Sequence, residues 1–95
     1  MPHYNLALIY SRQERFGEAI KEYVIAMKLN PDYPDNYNNL GNIYSNLGRF
    51  DDAIKEYTMA LKLKPNYYEA HNNLGNAYVM QGKFDEAIKE YLIVL

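Results

Sequence analysis

The chain has 95 residues, 48% of them apolar, and its 10 basic and 12 acidic side chains leave a formal charge of −2. That length allows one domain, and charges this evenly mixed offer no basic stripe for nucleic acid. The absence of cysteine removes disulfide staples and thiolate zinc sites, and no run approaches the ~18 apolar residues that would span a membrane. The polar start, Met1-Pro2-His3-Tyr4-Asn5, does not look like a secretory signal. A cytoplasmic protein, off the membrane, is the expected setting.

The chain copies itself every 34 residues. Arg15–Tyr23 (RFGEAIKEY) returns as Arg49–Tyr57 (RFDDAIKEY) and again as Lys83–Tyr91 (KFDEAIKEY). A unit this short cannot bury a core alone, so copies must stack on one another. The units run 1–33, 34–67 and 68–95, together forming a single domain over 1–95. Each unit reads as two helices of about 13 residues, marginal in isolation and dependent on packing.

In the first unit, His3, Leu6, Ala7 and Tyr10 mark the opening helix, and Ala19, Tyr23 and Ala26 mark the second, closed by Pro31. In the middle unit, Tyr37, Leu40, Gly41, Tyr44 and Leu47 recur at spacings of three and four, an amphipathic stripe. Pro34 suits the first helical position, and Asp35 places a negative charge at the positive helix end. Gly48 supplies a left-handed stop. Asp51 is expected as an N-cap or first-turn acid of the next helix, which buries Ala53, Ile54, Tyr57, Ala60, Leu61 and Leu63 before Pro65 ends it. Small residues at Gly41 and Gly75 are expected to face Ala53 and Ala87, letting paired helices approach closely. The third unit ends in Tyr91-Leu92-Ile93-Val94-Leu95, an apolar finish without a closing proline. Tyr91, Leu92, Val94 and Leu95 therefore form a candidate end-to-end association surface, and a head-to-tail contact of this kind would extend the stack across molecules.

Several features suggest chemistry until the period is applied. His3 and His71 occupy equivalent places two units apart, too far to share an ion, and each fills the slot of Tyr37. No metal or other cofactor is expected. Asp51-Asp52 and Asp85-Glu86 are neighbours that diverge on a helix and act as capping acids. Glu18–Lys21, Asp52–Lys55 and Glu86–Lys89 are spaced for helix-surface pairs. Ser11 and Ser45 lack a base and an orienting acid, so an enzyme is not expected. Most of the eleven tyrosines recur at core or turn positions and do not form a stacking platform.

These residues resemble the tetratricopeptide repeat (TPR) pattern. The middle unit supplies Tyr37, Leu40, Gly41, Tyr44, Ala53, Tyr57, Ala60 and Pro65. The third supplies His71, Leu74, Gly75, Tyr78, Ala87 and Tyr91, with Val94 for the last alanine, and the first has Ala7 for the glycine. The resemblance implies an all-α fold, an α-solenoid of three antiparallel hairpins and six helices wound as a right-handed superhelix. It also implies a protein-interaction scaffold that binds a peptide segment of a partner in a concave groove lined by the first helices. The alternative is a structural solenoid segment that self-associates end to end, as a homo-oligomer, or packs on the rest of a longer TPR protein.

On the groove face, asparagine recurs in three rows: Asn5, Asn39 and Asn73; Asn42 and Asn76, with Leu8 in the first unit; and Asn38 and Asn72, beside Tyr4. An amide offers both donors and an acceptor, which suits a peptide main chain. The ladder resembles the inner surface of the TPR segment of O-linked N-acetylglucosamine transferase, which implies peptide contact at Asn5, Asn39 and Asn73. Duplication alone would also copy these residues. Another class within the family clamps the terminal carboxylates of heat-shock chaperones with lysine and arginine. Tyr4, Glu69 and Asn73 stand at those positions here, so that activity is not expected.

Overall fold

The structure is a computed structural model that describes residues 2–95. Among the described residues there are six helices and no strand: α1 (Pro2–Arg12), α2 (Phe16–Leu29), α3 (Pro34–Asn46), α4 (Phe50–Leu63), α5 (Tyr68–Met80) and α6 (Phe84–Val94). They pair in chain order as hairpins α1–α2, α3–α4 and α5–α6, and α2 meets α3 while α4 meets α5. The result is a helical solenoid measuring 37 × 24 × 18 Å.

The turn inside each hairpin is set by one bond repeated three times. The N–H groups of Arg15, Arg49 and Lys83 reach the carbonyls of Tyr10, Tyr44 and Tyr78 at 2.8, 2.8 and 2.9 Å. Closing this loop requires a left-handed residue, supplied by Gly48 (φ 75°) and Gly82 (φ 74°). The first unit has Glu14 there instead, at φ 57°, a conformation that costs a side chain about 1 kcal/mol. Asp51 is not an N-cap. Arg49 holds that position without a side-chain capping bond, and Asp51 and Asp52 follow in the first turn, where they meet the helix dipole. Asp52 accepts from Arg49 Nε at 2.8 Å, and Arg15 pairs with Glu18 in the same way, so the ion pairs described on these helices run to the preceding arginine and not to Lys21 or Lys55.

Tyrosine carries the core. Tyr23 and Tyr57 are 1% and 2% exposed, and each lies beneath the following hairpin: Tyr23 with Leu40 and Ile43, Tyr57 with Leu74 and Ala77. Tyr44 packs against both clusters and joins them. The close partner of Gly41 is Tyr57 and not Ala53. A Cβ at position 41 would lie 2.6 Å from Tyr57 Cε1, and one at Gly75 would lie 2.7 Å from Tyr91 Cε1. The glycines therefore make room for a ring from the paired helix, and Ala53, fully buried, packs alongside.

Candidate functional site

The first helices α1, α3 and α5 form one face of the stack, and their sequences hold no lysine; Arg12, Asp35 and Glu69 are their only formal charges apart from His3 and His71. Three of these groups, His71, His3 and Asp35, are tied to the framework. His71 Nδ1 lies 2.7 Å from Glu90 and its Nε2 2.8 Å from the Pro65 carbonyl, which joins α5, α6 and the turn before them. Tyr37 holds the same slot by donating to the Pro31 carbonyl at 2.8 Å, and His3 Nδ1 meets Glu22 at 2.6 Å. Asp35 accepts from Tyr67 Oη at 2.7 Å; burial first, and then this carboxylate, push the Tyr67 phenol upward.

The asparagine rows divide by what their amides already do. Asn39 Nδ2 donates to Tyr4 Oη at 3.3 Å, and Asn73 Nδ2 donates to Asn38 Oδ1 at 3.1 Å, so each links its helix to the first helix of the preceding hairpin. The Tyr23 hydroxyl also lies beside the Asn39 amide, and among the described residues the carbonyl oxygens of Asn39 and Asn73 are left to accept. Asn42 is held the opposite way round, its Oδ1 taking the Tyr57 hydroxyl at 2.6 Å, and Asn76 Oδ1 takes that of Tyr91. Their NH₂ groups are left to donate. Ser45 Oγ, 3.2 Å from Tyr57 Oη, completes the middle set. Burial pushes Tyr23 up to about 12 and raises Tyr57 too, with the serine hydroxyls pulling the other way, so both phenols remain donors at neutral pH.

Within the three rows, Asn5, Asn72 and Asn76 are exposed, and Asn39, Asn42 and Asn73 are half-buried. Asn38 differs: it has no exposed surface, because α3 is covered by a hairpin on each side, and so it cannot line an open groove.

Two hollows lie on this face. One, of about 130 Å³, is lined in part by Ser11, Phe16, Asn42, Ile43 and Asn46; the other, of about 240 Å³, by Ser45, Phe50, Asn76, Ala77 and Met80. Every residue of the second has its counterpart one unit earlier in the first. The asparagine pattern led to Asn42 and Asn76 but not to the serines, the phenylalanines or Met80. Recurrence of Ser11 with Ser45, and of Phe16 with Phe50, was the available signal. At the C-terminal end, Leu92, Val94 and Leu95 are 60%, 38% and 98% exposed and Tyr91 is half-buried; Phe84 and Ile88, at 61% and 54%, extend that apolar face along α6. Among the described residues no group of acidic, histidine or cysteine side chains could hold a metal ion, and no helix is long and apolar enough to cross a membrane.

A family model described as TPR repeat matches residues 7–48 and 42–82, and one described as tetratricopeptide repeat matches 70–95. No curated protein matches in sequence. Among solved structures, that of MamA superposes with a TM-score of 0.94 at 32% identity, over 97% of this chain and 54% of that one. The chain thus spans about half the length of the MamA chain. The first TPR of Spaghetti (RPAP3), bound to the HSP90 peptide SRMEEVD, superposes at 0.95 with 29% identity, over 98% of this chain and 74% of that one. The second TPR of the same protein, with the same peptide, reaches 0.94 at 20% identity over 98% and 86%, a likeness of fold.

Proposed function

Because the chain belongs to the tetratricopeptide repeat family, we propose that it is a non-catalytic interaction module whose first-helix face holds an extended peptide by its main chain. The observation that carries this reading is the fixed polarity of the amides. Asn39 and Asn73 present acceptors, and one turn further along each helix Asn42 and Asn76 present donors. An extended chain offers N–H and C=O groups in the complementary sense. Because these bonds fix the amides before a ligand arrives, little ordering entropy is lost on binding.

The peptide class differs from the one seen on RPAP3. SRMEEVD is acidic. Here Asp35 and Glu69 stand on the ligand face and no lysine answers a carboxylate. An internal, uncharged segment suits the face better than a charged chain terminus. Titration by calorimetry with N-acetylated, C-amidated nonapeptide pools tests this. Saturable one-to-one binding is expected, with SRMEEVD not saturating in the same range. Asn39→Ala with Asn73→Ala should weaken binding by about thirtyfold, corresponding to about 1 kcal/mol for each of the two lost bonds. Unchanged affinity in a variant that still melts cooperatively would remove the face from consideration.

A second reading is favoured by α6. Phe84 and Ile88 match Phe50 and Ile54, which pack under the next hairpin, while Leu6 and Ile9 of α1, 40% and 52% exposed, match Leu40 and Ile43, each 2% exposed against the preceding one. The two ends are thus the two halves of the interface that already joins the hairpins, and one copy can stack on another through them. Sedimentation equilibrium of this chain should show mass rising with concentration, and Ile88→Lys should suppress that rise. A monomer at every concentration rejects this reading and leaves the groove reading intact.

A further inference from the structure

The two hollows on the first-helix face occupy the same place in successive units but differ in lining. Ile43 and Asn46 in the first become Ala77 and Met80 in the second. The first also takes in Asn39 beside Asn42, so three amides and Ser11 share the lining of a space of about 130 Å³ with Leu8, Phe16, Tyr23 and Ile43. The second is wider, about 240 Å³, because alanine replaces isoleucine, and its rim is the thioether of Met80, which is 65% exposed, against the ring of Phe50. No lining residue of either hollow carries a charge, so an ionised side chain would be desolvated there without a partner. From the shared register, the changed lining and this neutrality, we infer that the face reads sequence. One uncharged polar side chain of the ligand enters the hollow between α1 and α3. One apolar side chain, three residues away, enters the hollow between α3 and α5.

The interval of three follows from spacing. The hollows are one unit apart, α3 touches α5 directly, and packed helices lie about 8–10 Å apart. A β-strand places side chains on one face only at every second residue, about 7 Å apart. A polyproline-type chain rises ~3.1 Å per residue with three residues per turn, so residues i and i+3 share a face about 9 Å apart. That conformation makes no internal hydrogen bonds, so its N–H and C=O groups stay open to the fixed amides of Asn39 and Asn42. The ligand is therefore an uncharged segment in polyproline-type conformation, with a polar and an apolar anchor three residues apart.

This inference rests on the groove reading, and its test keeps the two apart. Positional-scanning pools of N-acetylated, C-amidated nonapeptides made only of uncharged residues are selected on the immobilised chain. The wild type should enrich a polar and an apolar position separated by three. Met80→Asn, which gives the second hollow the rim of the first, should weaken binders with the apolar anchor by about tenfold. Asn46→Met should convert the polar preference into an apolar one. Both positions are exposed, so the melting temperature should hold. Pools that bind without this spacing, or whose preference ignores Met80→Asn, overturn the inference while the groove reading stands. No saturable binding from any pool overturns both.

Discussion

The middle and third hairpins are near copies, yet the same residues live in different surroundings. Phe50, Ile54 and Tyr57 lie beneath α5, with Tyr57 only 2% exposed, whereas Phe84 and Ile88 are 61% and 54% exposed and Tyr91 is half-buried. Each tyrosine fills the gap left by a glycine on its paired helix and donates to an asparagine there. What separates them is the next hairpin. Intrahairpin geometry is thus complete in a single unit, while burial comes from the neighbour, as expected of a quasi-one-dimensional stack.

The widest gap between the two hairpins should appear on truncating those tyrosines. Tyr57→Ala removes a ring enclosed on all sides and should cost about 3–5 kcal/mol in urea unfolding. Tyr91→Ala removes the same contacts on one side only and should cost less than half as much. Equal losses would mean that the tyrosines are held by their own hairpins and that the stack contributes little.

At Asn36 the sign of the effect reverses. Asn36, in the first turn of α3, is fully buried, and neither of its side-chain polar atoms has a partner among the described residues. One unit later the position is Ala70, also fully buried and apolar. A buried, unbonded amide costs about 1–3 kcal/mol, only partly offset by its packing, so Asn36→Ala should stabilise by about 1–2 kcal/mol. A loss of stability on that change would reveal a partner that Ala70 does not need.

These cases mark what a repeat shows in sequence. The hairpins, the helix faces and the slot shared by His3, Tyr37 and His71 were legible because each is repeated, and repetition averages out local accidents. Spacing said that Gly41 faces its paired helix. It could not say that a tyrosine ring fills the gap in place of Ala53, because helices bring a whole face together and side-chain length decides which residue reaches. The asparagine rows were legible as rows, but the burial of Asn38 was not. Its counterparts Tyr4 and Asn72 lie on units with a neighbour on one side only, and only the middle unit is covered on both. The polarity of the amides needed Tyr57 and Tyr91, which lie on the other helix of each hairpin.

A smaller effect tests the turns. Glu14 holds the left-handed position that glycine takes at 48 and 82. Glu14→Gly removes the steric cost of that conformation but adds freedom to the unfolded chain, so the expected gain is about 0.5–1 kcal/mol. The reciprocal change, Gly48→Glu, should lose a similar amount. Thermal melts of the pair read both, and effects of the same sign would show that the turn relaxes around its residue.

The smallest effect concerns one carboxylate repeated three times. Glu22 and Glu90 each meet a histidine, at 2.6 and 2.7 Å, while Glu56, in register with them, faces the slot occupied by Tyr37. Burial raises the Glu56 carboxyl above its usual range, the neighbouring Lys55 opposing it and Asp52 adding to it. An acid whose folded value is raised favours the folded state below its unfolded value, near 4.5, and loses that contribution as pH climbs through the folded value. At neutral pH the buried charge is therefore a cost. Glu56→Gln should raise the melting temperature at pH 7, and the difference should close as pH falls toward 4. The same change at Glu90, which would weaken the acceptor of His71, should bring no gain. Melts at pH 4 and pH 7 separate the cases: a stabilisation by Glu56→Gln that persisted at pH 4 would trace the effect to packing and not to charge.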